Sequence, residues 1–290
     1  MKKILVIVGP TGSGKTRLSI ELAKAFHAEI INGDSVQVYK GLDIGSAKIK
    51  PLEMQGIKHH LLSIKDPKEP YSVYEFQQDS RRLFETIDLP MIVGGTGLYI
   101  KASLYDYEFI DPKRNDHFDD MYQSYSNDQL YELLLNYDPL IKIDPQNRRR
   151  VLRALEHAIN GTPRSKKHKK DHLLYDACII YLDLERNLLE PRLRQRLDQQ
   201  IEEGFIEEVQ ALMDQGISIN AIGYRELERY LKQEISLAEA KEQIIQVSKK
   251  LAKKQKTFFK NQMHPIMLDA MSKTLIDDAI HIVSSFLKEV

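Results

Sequence analysis

The sequence predicts an α/β fold, with a P-loop core built on a mostly parallel sheet flanked by helices and an inserted all-helical domain. Three observations support this class. Short apolar runs alternate with amphipathic stretches over the first hundred residues, which is the order of an open parallel sheet. The first apolar run leads directly into a glycine-rich loop at residues 9–16. Strand signals then stop between about residues 112 and 172, where helical patterns take over.

The predicted elements follow one another along the chain. Strands are predicted at 3–8, 28–32, 90–93 and 177–184, with core helices at 15–26 and 74–87. The insertion is expected to contain helices at 117–124, 127–136 and 145–160, followed by a basic connector punctuated by Pro and Gly. Helices dominate again after residue 190. We therefore expect the first part of the core at 1–111, the helical insertion at 112–172, and the remainder of the core with C-terminal helices at 173–290.

The segment from Gly9 to Thr16 fits the pattern G-x-x-x-x-G-K-[ST] of a phosphate-binding loop. Small residues allow successive backbone N–H groups to surround phosphate oxygens, and Lys15 adds a mobile positive charge. The Thr16 hydroxyl at the helix N-terminus is a candidate ligand for Mg²⁺. The loop predicts a bound di- or triphosphate without indicating the molecule that carries it. Its members are Gly9, Pro10, Thr11, Gly12, Ser13, Gly14, Lys15 and Thr16.

Composition places few limits on the ligand. The 290 residues include 42 basic and 42 acidic side chains, so the net charge does not indicate nucleic acid. The charges are nevertheless segregated, because acids are concentrated in 106–138 and basic residues in 148–170. The single cysteine, Cys178, lies in an apolar run, which favours a buried structural thiol and a reducing compartment. We find no signal segment or membrane-spanning run, and expect a cytoplasmic protein without a membrane partner.

Two polar segments follow predicted strands. Asp34 comes just after the second strand, and ligands of such sheets bind outside the carboxyl ends of the strands, so Asp34 should face the phosphate loop. Its carboxylate could accept a proton from an acceptor substrate or could cap the next segment, and the residues alone leave both roles open. The strand at 90–93 runs into Gly94–Tyr99, whose glycines we expect to admit close backbone approach by a bulky ligand. Many nucleotide hydrolases instead place a Mg²⁺-binding aspartate here, which disfavours an ordinary ATPase.

One helix of the insertion is strongly basic. It is predicted to begin at Pro145, with Asp144 as its N-cap. A solvated surface and a nucleic-acid phosphate backbone both explain its basic face, and the near absence of acids on this helix favours the second. The basic face comprises Arg149, Arg150 and Arg153, and the opposite apolar stripe comprises Val151, Leu152, Leu155, Ala158 and Ile159.

Two later helices also carry cations. Arg192 and Arg196 lie one turn apart on a helix expected to follow Pro191, where they could clamp an anionic ligand. Residues 249–260 interleave lysines with Phe258 and Phe259. That mixture suits nucleic acid, because cations meet phosphates and rings meet bases, although a helix with a packed face and solvated lysines explains it almost as well.

Six segments occur in a characteristic order. They are Gly9–Thr16, Asp34–Tyr39, Gly41–Lys48, Gly94–Tyr99, Arg150–Glu156 and Ala221–Glu226. Together they resemble the bacterial tRNA dimethylallyltransferases, also called tRNA isopentenyltransferases, over residues 4–260. Ser46 stands where that family usually has Thr and keeps the hydroxyl, and Lys254 and Phe258 stand where it usually has Arg and Trp, which keeps charge and aromaticity but loses a bidentate fork and an indole.

The resemblance implies transfer of a dimethylallyl group from dimethylallyl diphosphate to N6 of adenosine 37, 3′ of the anticodon, in tRNAs reading codons that begin with U. Diphosphate would be released, Mg²⁺ would be the cofactor with Thr16 as its ligand, and the tRNA anticodon stem-loop would be the partner of a monomer. The catalytic residues would be Asp34 as base toward N6, Lys15, Thr16 and Arg196 on the diphosphate, and Thr96 at the target nucleotide. The tRNA-binding residues would be Asp34, Ser35, Val36, Gln37, Thr96, Arg114, Arg149, Arg150, Arg153, Gly223, Tyr224, Arg225, Lys253, Lys254, Gln255 and Lys260.

Two other classes of protein use the same loop. A small-molecule kinase would place ATP on it and use Asp34 as base for an acceptor hydroxyl, although the Gly94–Tyr99 turn and the basic insertion fit a kinase less well. A nucleotide-switched RNA-binding protein would need no acid opposite the phosphate site, so Asp34 disfavours it. The adjacent His59 and His60 would point apart on a helix or strand, and their spacing indicates no shared metal.

Overall fold

A computed structural model describes residues 1–107, 109, 116–166 and 172–289. Their elements form a parallel α/β core and a separate helical unit. In chain order they are β1 (Lys3–Val8), α1 (Lys15–Phe26), β2 (Glu29–Asn32), β3 (His59–His60), α2 (Val73–Thr86), β4 (Pro90–Gly94), α3 (Gly97–Leu104), α4 (Asp116–Met121), α5 (Asn127–Tyr137), α6 (Arg148–Ile159), a 3-10 helix (Arg164–Lys166), β5 (Asp176–Asp183), α7 (Arg186–Glu202), α8 (Phe205–Asp214), α9 (Tyr224–Leu231), α10 (Leu237–Met263), β6 (Ile266–Asp269) and α11 (Leu275–Lys288).

The six strands form one sheet in the order β3-β2-β4-β1-β5-β6, and every pair is parallel. The central strand β1 is an uninterrupted apolar run because helices cover both faces of the sheet. Its residues alternate between two hydrophobic clusters: Ile4, Val6 and Val8 pack with residues of α2, α3 and α10, whereas Leu5 and Ile7 pack with residues of α1 and α11. The predicted fold class is confirmed.

Four of the strands lie within two residues of their predicted positions. The two edge strands, β3 and β6, were not predicted. β3 consists of His59 and His60 alone and exists through its pairing with Ile30 and Ile31 of β2, which no local pattern could indicate. β6 is short and mostly exposed, and it follows a 27-residue helix directly.

The described chain divides into two compact units. One contains Met1–Tyr105 and Leu173–Val290, and the other contains Asp106–His172. The sequence placed the start of the insertion at residue 112, whereas the structure divides the chain after Tyr105. The described part of the second unit has helices and no strand, and its own core is formed by residues such as Leu130, Leu134, Val151 and Leu155.

Two predicted helix starts were wrong. The helix predicted from Pro145 begins at Arg148, where the Asn147 side chain accepts a hydrogen bond from Arg150 N at 3.2 Å. The Asp144 carboxylate instead accepts from Gln146 N at 3.0 Å, so it closes a turn before the helix. The helix predicted to follow Pro191 already begins at Arg186, so Pro191 lies in its second turn and leaves the Asn187 carbonyl without its usual backbone donor.

Candidate active site

The phosphate-binding pattern forms the turn between β1 and α1, at the carboxyl edge of the sheet. Gly14 precedes the helix with φ +85°, a left-handed conformation that glycine adopts without strain. The free N–H groups of the first helical turn therefore adjoin the loop, which is the usual arrangement for binding phosphate. The Ser13 hydroxyl is buried and makes no hydrogen bond to a described residue. A buried hydroxyl without a partner at this place fits a ligand that brings oxygen atoms.

Lys15 lies at the end of this loop, as the first residue of α1. Its ammonium group donates hydrogen bonds to the carbonyl oxygens of Gly9, at 2.9 Å, and Pro10, at 2.8 Å. Burial and the positive charge of Arg196 lower the pKa of Lys15 to about 8, against the opposing effect of Asp34. An anionic ligand would favour the charged form of this amine, so the site gains electrostatic stabilisation when a diphosphate is bound.

Asp34 follows β2 and its backbone is held in place by Asn32. The Asn32 side chain donates to the carbonyl oxygens of Asp34 and Leu61, at 3.0 Å each, and accepts from Asp34 N at 3.0 Å. Asp34 Oδ1 accepts from Val36 N at 2.8 Å, which is the capping role left open by the sequence. Asp34 Oδ2 makes no hydrogen bond to the described residues, so capping and proton acceptance are compatible in one carboxylate.

Thr96 lies beside Asp34 in the turn that follows β4. Its hydroxyl accepts a hydrogen bond from Ser35 N at 3.1 Å and donates to Ser35 Oγ at 3.3 Å. Thr96 N donates to Gly33 O at 3.1 Å. The ends of the neighbouring strands β2 and β4 are thus joined by side-chain and backbone hydrogen bonds, as expected for adjacent parallel strands whose carboxyl ends share an edge.

Arg196 of α7 lies where two cavities meet. The first, of about 680 Å³, is lined by phosphate-loop residues, by Lys15 and by Arg196. The second, of about 370 Å³, is lined by apolar residues of α7, α8 and α10. Burial lowers the pKa of Arg196, and the Asp34 carboxylate, which lines the same two cavities, opposes this shift. Residues shared by the cavities are Thr11, Asp34, Ser46, Ala47, Arg196 and Gln200.

Comparison with known proteins assigns this arrangement to a family. Residues 37–262 match the sequence model described as IPP transferase. A tRNA dimethylallyltransferase of Acholeplasma laidlawii is 50% identical over 287 residues, which are 99% of each chain. The chain belongs to the IPP transferase family.

Solved structures agree with this membership. The full-length tRNA isopentenylpyrophosphate transferase of Bacillus halodurans is 37% identical with a TM-score of 0.78, and the match covers 99% of this chain and 97% of that one. A eukaryotic dimethylallyltransferase acting on tRNA is 29% identical with a TM-score of 0.87, covering 99% of this chain and 80% of the other. The IPP transferase fold therefore extends over nearly the whole chain.

Two of the glycines after β4 lie against helix α10 of the same chain. A side chain at Gly97 would lie 2.4 Å from the ring of Phe258, and one at Gly95 would lie 2.5 Å from the Gln255 amide. Gln255 Nε2 also donates to Gly95 O at 2.9 Å. Gly94 lines the cavity beside the phosphate loop, so the approach of a bulky ligand to this turn stays a prediction.

Helix α10 divides its basic residues between internal pairs and the surface. Lys249 forms an ion pair with Glu190, and Lys256 forms one with Asp183 at 2.8 Å. Three other lysines predicted to bind tRNA are exposed and form no ion pair with a described residue, namely Lys253, Lys254 and Lys260. In this IPP transferase the helix therefore presents one face to the turn at Thr96 and leaves separate cations on its surface.

The segment at the start of α9 was predicted to bind tRNA, and two of its three residues are buried. Tyr224 is only 2% exposed and its hydroxyl donates to Glu208 at 2.7 Å, so its side chain has a structural role. Gly223 is also buried, and its N–H donates to Glu226 at 2.8 Å. Arg225 is the exposed member of the segment, although its guanidinium is paired with Glu226. Gly223 and Tyr224 also line the second cavity, and a contact of this segment with tRNA stays a prediction.

Residues 35–37 are half-buried beside Asp34. Ser35 is engaged with Thr96 as described, and Val36 packs against the cluster formed by α7 to α10. Gln37 Nε2 donates to Ser46 O at 3.0 Å and to Ala47 O at 3.4 Å. Gln37 lines the cavity beside the phosphate loop, and a contact of Ser35 and Gln37 with tRNA stays a prediction.

The basic face of α6 is confirmed for Arg149 and Arg150, which are exposed, and only in part for Arg153. Arg153 forms an ion pair with Glu156 three residues later, so an acid compensates one of the three charges. The opposite stripe is buried except for Ile159, which is 38% exposed at the end of the helix. Arg164 is a further cation in this unit, to which the sequence analysis gave no role. Its pKa is lowered mainly by burial and secondly by the positive charge of Arg150. Arg114 lies outside the described residues.

The remaining predictions concern metal, membrane and thiol. No group of three or more His, Cys, Asp or Glu side chains able to hold a metal occurs in the described ranges. Within the same ranges no helix combines the length and apolarity needed to cross a membrane. Cys178 is buried, and burial raises the pKa of its thiol to about 11, which confirms the structural role predicted for it.

Proposed function

We propose that this chain transfers a dimethylallyl group from dimethylallyl diphosphate to N6 of adenosine 37 in tRNAs that read codons beginning with U. The product is N6-isopentenyladenosine, and diphosphate is released. The observation that carries the proposal is the junction of the two cavities, where Lys15 and Arg196 lie on the anion side and Asp34 faces both. The reaction needs positive charge beside the leaving diphosphate and a proton acceptor beside the amine, and the junction provides Lys15 and Arg196 for the first and Asp34 for the second.

The reaction exchanges one bond for another. The C1–O bond of the allylic diphosphate breaks, the N6–C1 bond forms, and the electron pair of the broken bond leaves with the diphosphate. Lys15, Arg196 and the amides of the phosphate loop offset the charge that develops on that oxygen. The exocyclic amine is a weak nucleophile because its lone pair is delocalised into the ring. Asp34 Oδ2 accepts its proton as the new bond forms.

The residues of the loop suit Mg²⁺. Thr16 is exposed at the first turn of α1, and a hydroxyl together with phosphate oxygens and water is the donor set that Mg²⁺ favours. The absence of an acidic cluster among the described residues fits an ion held mainly through its substrate. When bound there, Mg²⁺ would offset further negative charge on the diphosphate.

The acceptor side is assigned to the tRNA anticodon stem-loop. Its bases are already partly unstacked, so moving an adenine into the second cavity costs less than opening a duplex. Thr96 and Ser35 lie beside Asp34 to contact the nucleotide, and the exposed lysines of α10 supply charge for the backbone. We expect the enzyme to act as a monomer in the cytoplasm.

The proposal is tested by substrate labelling. Purified protein is incubated with tRNA and either labelled dimethylallyl diphosphate or labelled ATP, with Mg²⁺. Label from dimethylallyl diphosphate should enter tRNA. Label that passes from ATP to a small molecule would identify a kinase on the same loop, and binding of tRNA without any transfer would identify a nucleotide-dependent RNA-binding protein.

The role of Asp34 is tested by Asp34→Asn, which keeps the Oδ1 cap and removes the base. Turnover should fall by on the order of a hundredfold, while binding of tRNA and of dimethylallyl diphosphate changes little. Asp66→Asn is the matched control, because Asp66 also caps a backbone N–H two residues on, that of Lys68, outside both cavities. Turnover of Asp34→Asn within about threefold of the parent would show that Asp34 only orients its loop.

A further inference from the structure

The segment Gly41–Lys48 shapes the point where the two cavities meet. Asp43, Ile44 and Lys48 line the cavity beside the phosphate loop. Ser46 and Ala47 line both cavities, so a displacement of this segment would change the junction next to Asp34 and Arg196. The segment belongs to no strand or helix, and its position depends on side chains that come from elsewhere.

Several of those side chains bind the carbonyl oxygens of the segment. Gln37 donates to Ser46 O and Ala47 O, and Gln200 Nε2 donates to Ile44 O at 2.6 Å and Gly45 O at 3.1 Å. These contacts leave the N–H groups on the other side of the turn to be satisfied. Unsatisfied backbone donors are costly, so an acceptor is required for them.

Glu208 of α8 is that acceptor. Its Oε2 accepts from Asp43 N at 2.8 Å and Ile44 N at 2.7 Å, and its Oε1 accepts from Gly45 N at 3.0 Å. The Tyr224 hydroxyl donates to the same Oε1 at 2.7 Å. Burial and the neighbouring Glu208 raise the pKa of Tyr224, which keeps its phenol a donor. One carboxylate thus binds three consecutive backbone amides and a buried phenol.

Packing reinforces this attachment. A side chain at Gly45 would lie 2.0 Å from a ring carbon of Phe205 and 2.7 Å from one of Tyr224, so the backbone rests directly on these two buried rings. The rings pack edge to face, with centroids 5.0 Å apart. The segment is therefore held against α8 and α9 by shape as well as by hydrogen bonds, and Glu208 lies at the centre of the contact.

We propose that Glu208 is a positioning residue for the transfer reaction, which sets the Gly41–Lys48 segment so that the diphosphate cavity has its binding-competent shape. Glu208 is not among the residues that line either cavity, so it acts through the segment. This inference rests on the proposed function for its substrate. The inference also explains the presence of Tyr224 in the Ala221–Glu226 motif, because its hydroxyl donates a hydrogen bond to Glu208.

The decisive variant is Glu208→Gln, which keeps the size of the side chain. Either orientation of its amide would place an NH₂ group against at least one backbone N–H of the segment, so the three amides cannot all be satisfied. A segment that holds its native position only part of the time lowers affinity by that fraction. We expect KM and Kd for dimethylallyl diphosphate to rise about three- to tenfold, with kcat changed less and the Kd for tRNA within twofold.

Hydrogen exchange supplies a readout that general destabilisation does not reproduce. In the parent, the amides of residues 43–45 should be protected, and in Glu208→Gln they should exchange at least tenfold faster while peptides of β1 do not change. Glu207→Gln is the matched control, because Glu207 is an exposed neighbour on the same helix. Tyr224→Phe removes one of the four hydrogen bonds and should give a smaller change in the same direction.

The outcomes separate this inference from the proposed function. Unchanged exchange at 43–45, or an unchanged Kd for dimethylallyl diphosphate, would overturn the role of Glu208. Faster exchange throughout the chain, β1 included, would also overturn it, since that pattern indicates a purely structural residue. A parent protein that fails to transfer the dimethylallyl group would contradict the proposed function, whereas the exchange measurement concerns the segment alone.

Discussion

The lowered pKa of Lys15 predicts that binding of dimethylallyl diphosphate weakens between pH 7 and 9. The protonated amine binds the anion, and with a pKa of about 8 in the free protein it loses its charge within this range. The second ionisation of a phosphate lies near pH 6, so the ligand keeps its charge throughout. Exposed lysines titrate near 10.4 and contribute little below pH 9.

The magnitude follows from the fraction of Lys15 that is protonated. That fraction falls about tenfold from pH 7 to pH 9, so Kd should rise about tenfold, or ~1.4 kcal/mol in binding free energy. Lys15→Arg keeps its charge at every pH of the series and provides the control. Its Kd should be nearly constant from pH 7 to 9, although the wider guanidinium is expected to raise Kd at all pH values.

Equilibrium dialysis with labelled dimethylallyl diphosphate at fixed Mg²⁺ measures both proteins. A parent Kd that is constant over this range would show that Lys15 does not titrate there or does not bind the anion. An equal rise in the parent and in Lys15→Arg would assign the pH dependence to another group. Either result would refute the reasoning from burial and from the neighbouring Arg196.

Three other predictions concern separate parts of the chain. Replacing both Arg149 and Arg150 by Gln should reduce the magnitude of the slope of log K for tRNA against log salt by roughly 1.4 to 1.8. Arg153→Gln alone should change this slope less, because Glu156 already pairs with that charge. Equal slopes in the parent and in both variants would assign the helix to a solvated surface. Cys178 should react with a thiol reagent at pH 8 only as fast as the protein unfolds, and rapid labelling of the native protein would contradict its burial. Gly97→Ala should lower the free energy of unfolding in urea by about 1–3 kcal/mol, because the added methyl group would overlap the Phe258 ring, and this outweighs the preference of alanine for helices. The destabilisation should largely disappear in a Phe258→Ala background.

The sequence predicted those parts of the fold that have a local cause. β1 and β5 are apolar runs because both faces of the sheet are covered, and the phosphate loop is a pattern of adjacent residues. Asp34 was placed correctly because strand ends share one edge of a parallel sheet. From the sequence, Asp34 could act as a cap or as a base. In the structure its Oδ1 atom caps the backbone by accepting from Val36 N.

Contacts between distant residues explain what the sequence did not reveal. Nothing near Gly97 indicates that Phe258 lies against it, so the glycines after β4 were interpreted through a ligand. Tyr224 belongs to a motif with an exposed Arg225, and only its distance to Glu208 shows that it is internal. Glu208 itself is one acid among several on α8, and the three backbone N–H groups that donate to it lie more than 160 residues earlier in the chain.

The ends of the helical unit lie side by side, and this bears on how the sheet can assemble. Tyr105 and Leu173 form an antiparallel bridge, and Asp106 N donates to His172 O at 3.0 Å. The central strand β1 must pair with β5, which is synthesised only after the whole insertion. If the insertion folds first and closes its own ends, the free loop left between β4 and β5 becomes much shorter, which lowers the entropic cost of closing that loop by about 1.5 kcal/mol. Early folding of the insertion would thus make it easier for β5 to pair with β1.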